Sequence, residues 1–227
     1  MMEHPERRPL EDTALHTEAG GAAVEVRDGP LLLRKRTVSE MDNAVYLLAC
    51  AATGHALLVD AADDAPAIRA MAEGTLPLAV VQTHGHWDHV RAWEDLAEDP
   101  GLEVWGHAGD VPLYPRTPDR LLEDGQQLAF GELTIEVLHV PGHTDGSLLL
   151  LIEGGAHPWL ATGDSLFPGG PGATRGDRDA HRRLMDGLES RVFDRLPDTT
   201  RVLPGHGDAT TLGVERPHLA EWRERGW

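Results

Sequence analysis

Three histidines and an aspartate fall within the six positions 84–89, in the stretch Thr83-His84-Gly85-His86-Trp87-Asp88-His89-Val90. His84 and His86 are two apart, so in an extended segment both side chains point to the same side. Gly85 between them has no Cβ and lets the backbone come close to whatever they hold. Asp88 and His89 follow at once and offer a carboxylate and a third imidazole to a neighbouring point. Charged imidazoles packed this closely would repel one another, whereas neutral ones beside a carboxylate suit a divalent cation. The plain alternative is a histidine-rich surface loop in a chain that holds 13 histidines. The rest of the chain decides between the two.

Three further turns repeat the arrangement. Val140-Pro141-Gly142-His143-Thr144, Ala161-Thr162-Gly163-Asp164-Ser165 and Leu203-Pro204-Gly205-His206-Gly207 each close an apolar run with a turn residue and then one ligand-type side chain. Taken singly, each reads as a capping aspartate or a solvated turn histidine. Jointly with the first stretch they supply five histidines and two aspartates, all leaving strands, and that pattern reads as a metal centre. Cys50, the single cysteine, lies in an apolar run away from these turns and reads as an inert core thiol.

On these residues the chain resembles the metallo-β-lactamase-fold hydrolases, from about Ala22 to its C-terminus. The resemblance implies a first metal site at His84, His86 and His143. It implies a second at Asp88, His89 and His206, with Asp164 bridging two divalent ions. Zinc is the default, with iron or manganese as alternatives. In such a centre a metal-bridging hydroxide attacks an acyl carbon, and Asp88 is the candidate catalytic residue that orients it. His89 and Asp164 argue against the β-lactamase subclass that carries Arg and Cys at matching positions. The stretch 163–170 is most similar to glyoxalase II and its relatives, which implies a thioester or lactone substrate. The chain ends soon after His206 and is expected to lack the helical domain with which classical glyoxalase II holds glutathione. Persulfide dioxygenases share much of this grammar. Their single Fe(II) would take His84, His143 and Asp164, so that chemistry stays open beside hydrolysis.

Short strands must deliver these turns. Val80 and Val81 end an apolar run over 78–82 that feeds the first motif. Ala22–Arg27 and Leu31–Thr37 read as a hairpin around Asp28-Gly29, and residues 43–50 and 55–60 as a second pair. Asp63 and Asp64 ahead of Pro66 start a helix that runs to about Glu73, and 91–98 is another short helix. Leu102–Trp105 is a further strand. The second half repeats the order, with strands over 128–130, 133–140, 147–152, 159–161 and 201–203. Its helices lie at 178–196 and 214–225; Leu184, Met185, Leu188, Val192, Phe193 and Leu196 share one face of the first. Two similar halves stacking sheets between outer helices predict an α+β protein, an αββα four-layer sandwich. Residues 1–20 are expected as a flexible arm, and 21–227 as a single domain.

The glycine-rich loop 168–176 carries Arg175, with Arg178 just beyond, and reads as an anion-accepting lip or a solvated loop. Trp87 and Tyr114 are candidate cleft walls, and Met41 and Asp42 a cleft-edge loop. His139 reads as a support for the ligands, Trp222 and Trp227 as packing for the last helix. A formal charge of −18 runs against the basic face that a phosphate backbone needs, so nucleic acid is not an expected partner. No apolar run reaches membrane-spanning length and the N-terminus lacks a secretory pattern. The expectation is a cytoplasmic, bacterial enzyme acting on a small acyl substrate.

Overall fold

The computed structural model of the protein describes residues 5–226. One sheet holds eight strands in sequence order: Glu6–Arg7 (β1), Val24–Asp28 (β2), Leu31–Thr37 (β3), Ala44–Cys50 (β4), His55–Val59 (β5), Leu76–Val81 (β6), Glu103–His107 (β7) and Arg120–Leu122 (β8). The second sheet is built from Gln127–Phe130 (β9), Leu133–His139 (β10), Leu148–Glu153 (β11) and Trp159–Gly163 (β12). A small ribbon, Leu166–Phe167 (β13) and Gly170–Pro171 (β14), comes next. Arg201–Pro204 (β15) and Thr210–Thr211 (β16) then complete the second sheet, in the order β16-β15-β12-β11-β10-β9.

Period-two alternation assigns the layers. In β4, Tyr46, Leu48 and Cys50 face one way and Val45, Leu47 and Ala49 the other. In β11, Leu148, Leu150 and Ile152 oppose Leu149 and Leu151. The first set from each strand meets in one buried cluster between the sheets. The outward set of β4 packs with Ile68 and Met71 of Ala65–Met71 (α1) and with Trp93 and Leu96 of Trp93–Leu96 (α2). The outward set of β11 packs with Leu184, Met185 and Leu188 of Arg178–Leu188 (α3). Each sheet is therefore apolar on both faces, and the four layers are the expected αββα sandwich. No helix among the described residues is long and apolar enough to cross a membrane.

Local signals explain the helix ends. Asp64 caps α1 by accepting the Ala67 N–H, with Pro66 in the first turn. Asp177 caps α3 on Asp179 and Ala180. The single helix expected over 178–196 instead widens to π geometry at Glu189–Phe193. The closing helix is likewise broken, into Leu212–Glu215 (α4), a tight turn and Leu219–Arg225 (α5). Pro217, which has no N–H to donate, sits at the break. Trp222 packs in the outer layer, as expected; Trp227 lies outside the described residues.

The arm expected over 1–20 is, in its described part, fastened. β1 pairs parallel with β2, the Arg201 guanidinium donates to the Leu10 carbonyl, and Leu15 is 1% exposed. The physical reason is Lys35, the only lysine of the chain, whose side chain is fully buried in β3. Its ammonium donates to the carbonyls of Leu15 (3.0 Å) and Gly207 (2.6 Å). A buried cation needs such acceptors, and the N-terminal segment provides one of them.

Burial pushes the Lys35 pKa down from 10.5 to about 8, against the pull of Asp208, Asp12 and Asp42. Below pH 8 the ammonium is charged in both folded and unfolded chains, and its desolvation cost is at its full value. Between about pH 8 and 10.5 the unfolded chain holds the extra proton, so the contribution of Lys35 to stability rises with pH there. Denaturant unfolding of wild type and Lys35→Met should diverge in favour of wild type across that window; parallel profiles would refute the assignment.

Candidate metal centre

Two pairs of parallel strands bring the functional turns together. β5 and β6 run side by side, so Asp60 and Thr83, just past their ends, emerge as neighbours. β12 and β15 are the equivalent pair in the other sheet, and Asp164 and His206 emerge there. Backbone bonds join the two rims, from Leu148 N–H to Thr83 (2.7 Å) and from Ala44 N–H to Gly205 (2.8 Å), and Gly205 N–H donates to Gly163 (2.8 Å) within the second rim. Gly205 is required at its position, because a Cβ there would strike the Asp164 carboxylate and the His89 ring.

All seven side chains expected as ligands converge. His84, His86 and His143 form one triad whose donor atoms lie within 4.8 Å of one another; Asp88, His89 and His206 form another. The Asp164 carboxylate lies between them: one oxygen is 3.5 Å from His143 Nε2, 4.0 Å from His84 Nε2 and 3.6 Å from His206 Nε2. The other is 3.3 Å from His89 Nε2. His206 Nε2 lies 3.1 Å from His89 Nε2 and 3.3 Å from Asp88.

The donor set fits divalent cations. His84 Nε2, His143 Nε2 and Asp164 Oδ1 are buried without a hydrogen-bond partner. An orphaned buried polar atom costs about 1–3 kcal/mol, which a coordinated ion removes. Burial, then the charge of His89, holds His84 well below its ordinary pKa. Burial, then His143 and Arg175, takes His86 down to about 4, and burial also lowers His143. These rings present lone pairs at neutral pH. Against burial, which opposes charge, Asp164 and Asp60 lift His89 to about 10. Against burial again, the contact with His89 holds Asp164 below the usual carboxylate range. Without an ion, the positive charge that these carboxylates favour is a proton, so cation affinity must rise with pH.

An outer ring of polar groups orients the ligands, and most of it escaped the sequence. Asp60 accepts from Thr83 N–H (2.7 Å) and Thr83 Oγ1 (2.9 Å), and pairs with His89 Nδ1 at 2.9 Å. Its signal was available: an aspartate at a strand exit, like Asp164. Asp110 accepts from the N–H groups of Gly85 and Gly146 and from the Thr144 hydroxyl, all at 2.7 Å, and so ties the first motif to the His143 turn. Asn43 donates to Asp88 (3.1 Å). The Met41 carbonyl faces His206 Nδ1 at 2.6 Å, and the Ala173 carbonyl faces His143 Nδ1 at 2.9 Å. Carbonyl acceptors fix which ring nitrogen is free to ligate.

The expected substrate residues divide. Trp87 is 60% exposed beside the cluster, with the Arg91 guanidinium 5.5 Å from its ring. Arg175 reaches to 3.5 Å from His86 Nε2. Tyr114 is no cleft wall: it is buried against Trp93, and its hydroxyl accepts the His107 N–H. Its ring fills the space left by Gly106, where any Cβ would collide with it. Arg178 stands apart as well, sharing a surface cavity with His181, Arg182 and Arg223 at the start of α3. His139 stacks on His107 (4.0 Å) and faces the Asp145 carbonyl instead of supporting a ligand directly. A cavity of about 360 Å³ opens beside His86 and His143, walled by Pro112, Leu113 and Arg183. Cys50 is buried, and its sulfur accepts the Glu132 N–H.

Comparison with known proteins accords with this geometry. The family model of the Metallo-beta-lactamase superfamily matches residues 40–206. A hydroxyacylglutathione hydrolase of Anaeromyxobacter dehalogenans is 42% identical over 166 residues, 73% of this chain and 61% of that relative's length. TTHA1623, solved in a di-iron-bound form, is 34% identical with a TM-score of 0.68, over 79% of this chain and 95% of that one. A metallo-beta-lactamase from Staphylococcus aureus superposes with a TM-score of 0.75 at 22% identity, over 88% of this chain and 67% of that one, a likeness of fold.

Asp60→Asn keeps the size of the side chain but removes the charge that orients His89. Cation affinity should fall about 10–100-fold while the fold survives. Competition titration with a chromophoric chelator, alongside circular dichroism, measures both; unaltered affinity would refute the role.

Proposed function

We propose that this chain, which belongs to the metallo-β-lactamase superfamily, is a dinuclear metal-dependent hydrolase of a thioester or lactone. The observation that carries the reading is the pair of ligand triads with the Asp164 carboxylate within 4.0 Å of rings from both. Bound there, divalent cations would supply Lewis acidity and a water acidic enough to ionise near neutral pH. Zinc suits so imidazole-rich a donor set at both triads, with iron or manganese as alternatives.

The chain's own residues do the rest. Asp88 is held by the Asn43 amide with its carboxylate edge toward His206 and His89, where it can accept a proton from the attacking water and orient it. Asp164, kept ionised, serves both triads at once. Arg175 beside His86 offers a guanidinium to a substrate carbonyl or carboxylate, and Trp87 offers an apolar wall. The hydroxyacylglutathione hydrolase relative supports a thioester. The chain spans 61% of that relative's length, so the reading extends to the hydrolytic centre and leaves the carrier thiol out. The charge of −18 supports a small-molecule partner over nucleic acid, and one buried thiol is compatible with the reducing cytoplasm in which we place the enzyme.

One observation favours a second reading. The orphaned atoms belong to His84, His143 and Asp164, the set that would hold a single iron in a persulfide dioxygenase. Elemental analysis of protein purified anaerobically separates the two. Close to two ions per chain, with turnover of a thioester or lactone panel, is the expected result. A single iron with oxygen uptake on a persulfide would replace hydrolysis with oxidation. In the hydrolase, Asp88→Ala should lower kcat about 10²-fold or more. Full turnover with both ions retained would remove Asp88 from the mechanism.

A further inference from the structure

His206 is the one ligand of the second triad that does not come from the 84–89 stretch, and its turn is fastened from two sides. From the cleft side, the Met41 carbonyl faces its ring and the Asp42 carbonyl accepts the Gly207 N–H (3.0 Å). From the opposite side, the N-terminal segment grips the next three residues. Lys35 Nζ spans the Gly207 and Leu15 carbonyls, Ala209 N–H donates to Ala14 (2.7 Å), and His16 Nδ1 meets the Asp208 carboxylate at 2.8 Å. Leu15, in a left-handed conformation at φ 47°, is buried in the inter-sheet core. Thr17 and Thr37 share a hydroxyl contact at 2.7 Å that carries the segment along β3.

This expenditure on a turn is unusual. A lysine is rarely fully buried, and among the described residues no carboxylate lies closer to this one than Asp208 at 3.9 Å. Its hydrogen bonds go to two backbone carbonyls, one in the N-terminal segment and one directly after His206. We infer that Lys35 and residues 10–17 form a clamp that presets His206 as a ligand, so that affinity for the second cation depends on a segment outside the metal centre. Lys35 is a positioning residue: it touches neither ligand nor substrate. This rests on the two-cation reading. A ligand already held in place loses less conformational entropy when the ion arrives, and that saving appears as affinity.

The test is a zinc titration of the metal-free full chain, with both dissociation constants resolved, for wild type and Lys35→Met. The clamp predicts that the weaker, second constant rises about tenfold or more in the variant while the first is unchanged. Two wild-type constants in Lys35→Met overturn the clamp alone. Equal weakening of both sites also overturns it, since that is general loosening. If wild type itself takes a single zinc, the two-cation reading fails and the clamp fails with it. Should Lys35→Met not fold, the exposed pair His16→Ala/Asp208→Ala opens the same clamp from outside. A second constant that stays at the wild-type value in this double variant overturns the proposal.

Discussion

Lone pairs and carboxylates gathered at one point repel each other until positive charge is placed among them, and the rest of this structure answers that constraint. Five imidazoles and two carboxylates converge, several of them buried. Left to themselves they would splay toward water. They are held because their far sides are committed: Asp60 to His89, the Ala173 carbonyl to His143, the Met41 carbonyl to His206, Asn43 to Asp88. Asp60 directly follows β5 and Asn43 directly precedes β4, strands that the sheets bury on both faces. The apolar layers thus supply the rigidity that lets an electrostatically unfavourable arrangement persist until a cation relieves it.

The candidate ligands were legible because their grammar is local. A strand, a turn residue and one histidine or aspartate occupy consecutive positions, and all seven side chains identified that way meet. The four layers were legible too, since β4 is apolar throughout and β11 from Leu148 to Ile152, as expected where both faces are covered. What escaped was set by contacts distant in sequence. Asp110 lies 25 residues from Gly85 and 36 from Gly146, and nothing near it marks it as the tie between two ligand turns. Tyr114 resembled a cleft residue because prolines flank it, yet the void left by Gly106 draws its ring inward. The N-terminal segment was misread for a related reason: its polar composition indicates solvent, and only the burial of Lys35 reveals what its carbonyls are for.

The strand topology also accounts for how one scaffold serves varied chemistry. The candidate ligands sit just past strand ends, where short, hydrogen-bonded turns leave little freedom. Of the residues around the cleft, Leu113 and Arg175 stand on exposed connections outside the 84–89 stretch that can change without disturbing it, whereas Trp87 lies within it.

The burial of Lys35 also decides the reactivity of the surface. The chain has no other lysine, so every side-chain cation exposed to solvent is an arginine or a protonated histidine. Acylating reagents, amine cross-linkers and lysine-directed coupling therefore find no side-chain foothold on the folded protein. An amine-reactive probe that labels a side chain would report the interior being opened, at the point where the N-terminal segment meets the His206 turn.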